Sequence, residues 1–208
     1  MENLGKRIIL LIAGLVIISL NIGMLIFLDF GIDPLGALMM GISNVSGLPF
    51  GTLMMLGQIL FFVPVFCKRR DLIGVGTVVS LFGLGYLIQF FVWMWGSIIQ
   101  NELTLITRVA LLVITLLILS FGVALQIVGN LGLGTYDALA FIIATETKDK
   151  INFKWARIGT DALSTAIGFL LGATIGVATV VTVFMLGPFV NFFKEIIFRV
   201  VNVEYERK

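Results

Sequence analysis

Six long apolar runs constrain this chain more than any other feature of its sequence. They cover about residues 8–28, 51–66, 72–98, 105–128, 155–171 and 175–197, with only short polar stretches between them. A helix needs roughly 20 apolar residues to cross a bilayer core, and each run meets that need, the second and fifth at the short end. The chain has 208 residues, of which 12% are charged and 59% hydrophobic, and its mean hydropathy is +1.12. Soluble domains carry roughly 25% charged residues, so the expected class is an integral membrane protein made entirely of α-helices. The first run follows Lys6-Arg7 as a signal peptide would. It is longer than a signal core and lacks a small-residue cleavage site, so it reads as a retained span.

Between the first and second runs the sequence GIDPLGAL (residues 31–38) breaks the apolar pattern, and GLGTYDAL (residues 132–139) does so between the fourth and fifth. Each is preceded by a polar residue, Asp29 or Asn130. Glycine at Gly31 and Gly132 lets the backbone leave helical geometry, and Pro34 and Thr135 suit the first turn of a new helix. Each copy therefore predicts a spanning helix, an unwound elbow and a short helix, reaching about residue 45 in the first case and 145 in the second.

The correspondence extends further. IGVGTVV (residues 73–79) is echoed by IGVATVV (175–181), and GYLIQFF (85–91) by GPFVNFF (187–193). All three pairs share an offset of about 101 to 102 residues. Each half holds three spans, an odd number, so the second half enters the membrane the other way up. The expected fold is two inverted three-helix repeats, residues 1–103 and 104–208, each with a broken helix after its first span.

Orientation follows from the basic residues. With both termini cytoplasmic, Lys6, Arg7, Lys68, Arg69, Arg70, Lys148, Lys150, Lys154, Arg157, Lys194, Arg199, Arg207 and Lys208 all lie inside, and Arg108 alone lies outside. That bias matches the positive-inside rule and places the chain in a cytoplasmic membrane. Trp93 and Trp95, near the end of the third run, are expected in the interfacial aromatic belt.

Interrupted helices at matching positions of an inverted repeat point to a solute site. Unwound backbone needs a protein-buried or watered cavity, and the helix starts near Pro34 and Thr135 offer amides to an anion. The other reading is that the breaks only fold the chain, with short helices at the interface.

The candidate site residues are Gly31, Asp33 and Pro34 at the first elbow, and Gly132, Gly134, Thr135, Tyr136 and Asp137 at the second. Gln126 and Asn130 lead into the second elbow. Arg157 and Asp161 stand one turn apart on the fifth run, where they can pair and be joined by Asp137. Such a cluster either handles substrate or protons, or is an ion-pair group pinning the elbow to the fifth span. Gly36 and Gln58 occupy the corresponding places in the first half, and Asp29 and Asp33 are expected to be solvated or to cap. The remaining amides in the spans read as interhelical glue, and Gly168, Gly172 and Gly176 as small residues letting the fifth and sixth spans approach.

Enzymatic activity is not expected. There is no histidine, one cysteine (Cys67) and no Gly-rich phosphate loop, so no metal or cofactor site is anticipated, nor a nucleic-acid partner. The function expected is a small-solute transporter with a cavity between the elbows, its partners being the bilayer and the solute. The alternatives are a membrane scaffold or regulator with a cytoplasmic partner, the substrate-binding subunit of an ATP-driven importer, or a homo-oligomer of either kind.

The elbow GLGTYDAL, the Arg157-x-x-x-Asp161 spacing and the run GATIGVATVVTVFMLGPFVNFF (residues 172–193) resemble the YczE/YitT-type family of bacterial integral membrane proteins. The likeness covers nearly the whole chain and is strongest in the second half, where Gly187-Pro188 is characteristic. Gly36 departs from it, standing where such proteins often carry an acid. The resemblance implies a multi-span protein of the bacterial cytoplasmic membrane with a largely unassigned function.

Overall fold

The computed structural model describes residues 4–201, apart from 133, 149 and 152. Arg207 and Lys208 of the expected charged tail lie outside the described residues, as do the side chain of Lys154 and parts of the polar loop near it. The described residues form eight α-helices and no strand. These are α1 (Leu4–Leu28), α2 (Pro34–Ser46), α3 (Phe50–Lys68), α4 (Val75–Ile98), α5 (Leu105–Gly129), α6 (Thr135–Glu146), α7 (Phe153–Leu170) and α8 (Val177–Val201), with a 3-10 turn at Arg70–Leu72.

Five of them, α1, α3, α4, α5 and α8, are long and apolar enough to cross a membrane. The fifth expected span, α7, is not in that set. It has 18 residues and carries Lys154, Arg157 and Asp161 among them. Large apolar side chains such as Trp93, Ile106, Phe169 and Leu170 point outward, as lipid-facing residues do in a multi-pass membrane protein. Trp95 is half-buried, and its indole Nε1 donates to the Leu20 carbonyl at 3.1 Å. An indole N–H in hydrocarbon needs such a partner.

Local chemistry explains the helix ends. Asp33 is the N-cap of α2, accepting from the Gly36 amide at 3.2 Å, with Pro34 in the first turn. Gly47 closes α2 in the left-handed conformation, φ 71°. Thr104 caps α5 by accepting from the Thr107 amide. At the far ends of α1 and α5, Asp29 (φ 57°) and Asn130 (φ 45°) take the same left-handed turn, which Asp and Asn tolerate best among side chains other than glycine. α4 and α8 each start slightly later than the apolar runs suggest, because the preceding residues, through Gly74 and Gly176, are used in packing against an elbow.

α1 and α5 pack along their length, with Gly14 against Gly122 and Gln126. α4 lies on α1 and α8 on α5, while α2 lies on α7 and α6 on α3. The α2–α7 contact runs parallel: Ala37 and Gly41 meet Gly168, Gly41 also meets Leu171, and the Asn44 amide donates to the Gly172 carbonyl at 2.7 Å. Gly168 therefore serves the approach of α2, not the packing of the last two spans.

The elbows make the same contact twice. The Phe30 carbonyl accepts from the Ala178 amide at 2.9 Å, and the Leu131 carbonyl accepts from the Gly76 amide at 2.7 Å. Gly31 (φ 91°) lies against Gly176 and Thr179, and Gly132 (φ 116°) against Gly74 and Thr77. A Cβ at either elbow glycine would collide with a threonine hydroxyl and a glycine amide. Each elbow is thus bonded to the start of a spanning helix in the other half of the chain.

Candidate functional site

The second elbow leads into a charged cluster between α6 and α7. Arg157 pairs through Nη1 with Asp137 Oδ1, and its Nε donates to Asp161 Oδ2 at 3.0 Å. Spacing by four on α7 brings Arg157 and Asp161 to one face, and the start of α6 delivers Asp137. The Tyr136 hydroxyl donates to Asp161 Oδ1 at 2.8 Å and lies 3.1 Å from Ser164 Oγ. Arg157 also stands over the Tyr136 ring, 5.0 Å from its centroid, and Phe61 of α3 packs tilted against the same ring, 5.6 Å between centroids. Asp161, Tyr136 and Ser164 are buried, whereas the Asp137 side chain is half exposed. Both oxygens of the buried carboxylate are thereby satisfied, which an interior charge requires.

The first elbow reaches the same region. Asp33 lies within electrostatic reach of Asp161 and Arg157, and its Oδ1 is buried with no hydrogen-bond partner. Pro34 is buried beside it. Thr135, fully buried at the start of α6, also has an unpartnered hydroxyl, and Gly134 stands against Asp137, where an added Cβ would meet Oδ2 at 3.3 Å. Asp29 is exposed and Asp33 caps, as expected.

Gln126 and Asn130, which lead into the second elbow, lie apart from this cluster. Gln126 faces Gly14 on α1, and its Nε2 has no partner; Asn130 is exposed at the end of α5. The Asn130 carbonyl accepts from Arg7 Nη2, and the Gly129 carbonyl accepts from Arg7 Nε at 2.8 Å. Arg7 thus caps the C-terminal end of α5, a role that reading it only as a membrane-side marker missed. Arg108 stands 101 residues later, at the elbow offset. It lies over the Phe30 ring of the first elbow, 5.6 Å from the centroid. That shared offset was a signal available in the sequence.

The remaining amides tie helices together or bond locally. Gln58 donates to the Ser80 carbonyl at 3.2 Å, Gln89 accepts from the Gly51 amide at 3.1 Å, Asn21 bonds within α1, and Asn191 accepts from Lys194. On the side of the second elbow, Lys68 pairs with Glu146, and Arg69 bonds Asp71 and Thr145. The Asp71 hydrogen bond pushes the Arg69 guanidinium above its ordinary pKa. On the side of the first elbow lies a cavity of about 240 Å³ lined by Leu25, Ile26, Asp29, Gly31, Ile32, Met40, Asn44 and Thr174.

The family model whose description is "Family of unknown function (DUF6198)" matches residues 5–195. The chain belongs to the DUF6198 family. Among relatives of this DUF6198 protein, an "Uncharacterized protein" of Haemophilus influenzae is 28% identical over 205 residues, covering 97% of this chain and 89% of its own. The "Uncharacterized protein YyaS" of Bacillus subtilis is 25% identical over 191 residues, covering 89% of this chain and 91% of its own. No solved structure matches.

Proposed function

We propose that this DUF6198 protein is a small-solute carrier of six spans, built as two inverted three-helix repeats of residues 1–103 and 104–208, with its cavity between the elbows. The observation that carries the reading is the reciprocal bonding of Phe30 to Ala178 and of Leu131 to Gly76. Equivalent residues of the two halves make equivalent contacts with each other's spans, as a pseudo-two-fold axis in the membrane plane requires. In this arrangement α7 is the fifth crossing, and its charges are tolerated because Arg157, Asp161 and Tyr136 satisfy one another. The likeness to YczE/YitT-type proteins, a cytoplasmic membrane location and both termini inside belong to the same reading, as does the absence of enzymatic activity. Rocking of one half against the other would alternate access, with the elbows as the sliding contacts.

The scaffold alternative is favoured by the closed charge cluster, which has the form of an ion-pair pin. Against a partner docking on the basic loops, Lys68 and Arg69 are already engaged within the chain. A thermal-shift panel of amines, amino acids, organic acids, nucleobases and vitamins on purified protein, followed by uptake of any hit into proteoliposomes, tests the proposal. A stabilising solute that is also taken up is expected. A stabilising solute that vesicles do not accumulate, or no shift across the panel, would overturn the carrier reading in favour of the scaffold.

A further inference from the structure

The cavity at the first elbow is lined by the last turn of α1, through Leu25 and Ile26, and by Asp29 just beyond its end. A helix C-terminus carries unpaired carbonyls and a partial negative charge. Asp29 adds a carboxylate, which only accepts hydrogen bonds. One of the two Asn44 amide N–H groups is used on the Gly172 carbonyl, and the amide oxygen is an acceptor. The polar end of the cavity is therefore rich in acceptors, with the Thr174 hydroxyl able to serve either way, and Leu25, Ile26, Ile32 and Met40 form an apolar wall.

A second and independent observation says what such an end takes. At the equivalent helix end in the second half, the Arg7 guanidinium donates to the Gly129 and Asn130 carbonyls. The counterparts of those carbonyls, by the 101-residue offset, belong to Leu28 and Asp29. Among the described residues no side chain donates to either. Arg108, the counterpart of Arg7, is turned onto the Phe30 ring instead.

We propose that the first-elbow cavity is a binding site for a small organic cation, an amidinium, guanidinium or primary ammonium with a compact apolar body. Its donors would meet Asp29, Asn44 and the end of α1, in the way Arg7 meets the end of α5. The volume, about 240 Å³, is that of roughly eight water molecules, enough for one ring or short chain beside the charged group. This names a ligand class for the carrier reading and rests on it for its physiological meaning, although binding itself can be measured without transport.

The test is calorimetric titration of the purified full chain in detergent with phenylguanidinium, with phenylurea as a neutral molecule of the same frame, at matched ionic strength. Asp29→Asn is run beside the wild type; Asn130 already holds the equivalent left-handed turn, so the variant keeps the fold. Phenylguanidinium should bind, phenylurea should not, and Asp29→Asn should weaken binding about tenfold. Equal binding of phenylurea, unchanged affinity in Asp29→Asn, or no phenylguanidinium binding to folded protein would overturn the site. Vesicle uptake separates the two readings. Binding without uptake keeps the site and overturns the carrier, whereas uptake of another solute class without phenylguanidinium binding does the reverse.

Discussion

Arg7, in the first turns of α1, caps the far end of α5 by donating from Nε to the Gly129 carbonyl at 2.8 Å. The bond spans 122 residues of sequence and joins the N-terminal segment to the second elbow. It satisfies a carbonyl that the helix itself cannot, and places a cation at the negative end of the α5 dipole. The Asn130 carbonyl takes the second donor from the same guanidinium.

Arg7→Ala should therefore lower stability by about 1–3 kcal/mol, the range for hydrogen bonds to a charged group. Arg7→Lys should recover part of this, since an ammonium keeps the charge but not the fork. Thermal unfolding in detergent, followed by fluorescence-detected size exclusion, reads the effect. Equal melting of wild type and Arg7→Ala would mean the cap contributes nothing.

The elbow glycines are expected to be intolerant of any side chain. Gly31→Ala and Gly132→Ala each place a Cβ against a threonine hydroxyl and a backbone amide while holding a positive φ. Strain of this kind costs about 1–3 kcal/mol before the collision is counted. Both variants should lose most of their folded, monodisperse yield. Gly5→Ala, which meets nothing, is the matched control.

Asp161 and Asp137 share one arginine but differ in burial, with side-chain exposures of 7% and 49%. The Asp161→Asn change removes the buried charge and turns one acceptor oxygen into an amide donor, so either Arg157 Nε or the Tyr136 hydroxyl loses its acceptor. Asp161→Asn should cost about 3–5 kcal/mol, as breaking a buried pair does. Asp137→Asn should cost about 1 kcal/mol or less, as for an exposed pair. Chemical or thermal denaturation of the two variants side by side settles the order, and an Asp137→Asn loss as large as that of Asp161→Asn would refute it.

Whether α7 crosses the bilayer fixes the side on which the chain ends. Six crossings put both termini on one side, and five put them on opposite sides. Reporter fusions at Glu102, Lys148 and the C-terminus should read outside, inside and inside. A C-terminal fusion reading outside would remove α7 from the spans and with it the inverted repeat.

Much of this was legible in the sequence because it is decided locally. Bilayer thickness sets the length of an apolar run, so α1, α3, α4, α5 and α8 stand within a few residues of their expected bounds. Capping is local too: Asp33 with Pro34, and glycine after Asp29 or Asn130, mark where one helix stops and the next starts. The four-residue spacing of Arg157 and Asp161 likewise puts the two on one face before any tertiary contact is known.

The tertiary structure decided what lies far apart in sequence. No local rule says that Phe30 bonds the start of α8, that Gly168 packs on α2, that Trp95 turns inward to Leu20, or that Arg7 caps α5. These depend on which helix ends meet once the two halves are assembled. In hydrocarbon, where water cannot satisfy a stray carbonyl or amide, the partner chosen for each broken helix end is set by that assembly alone.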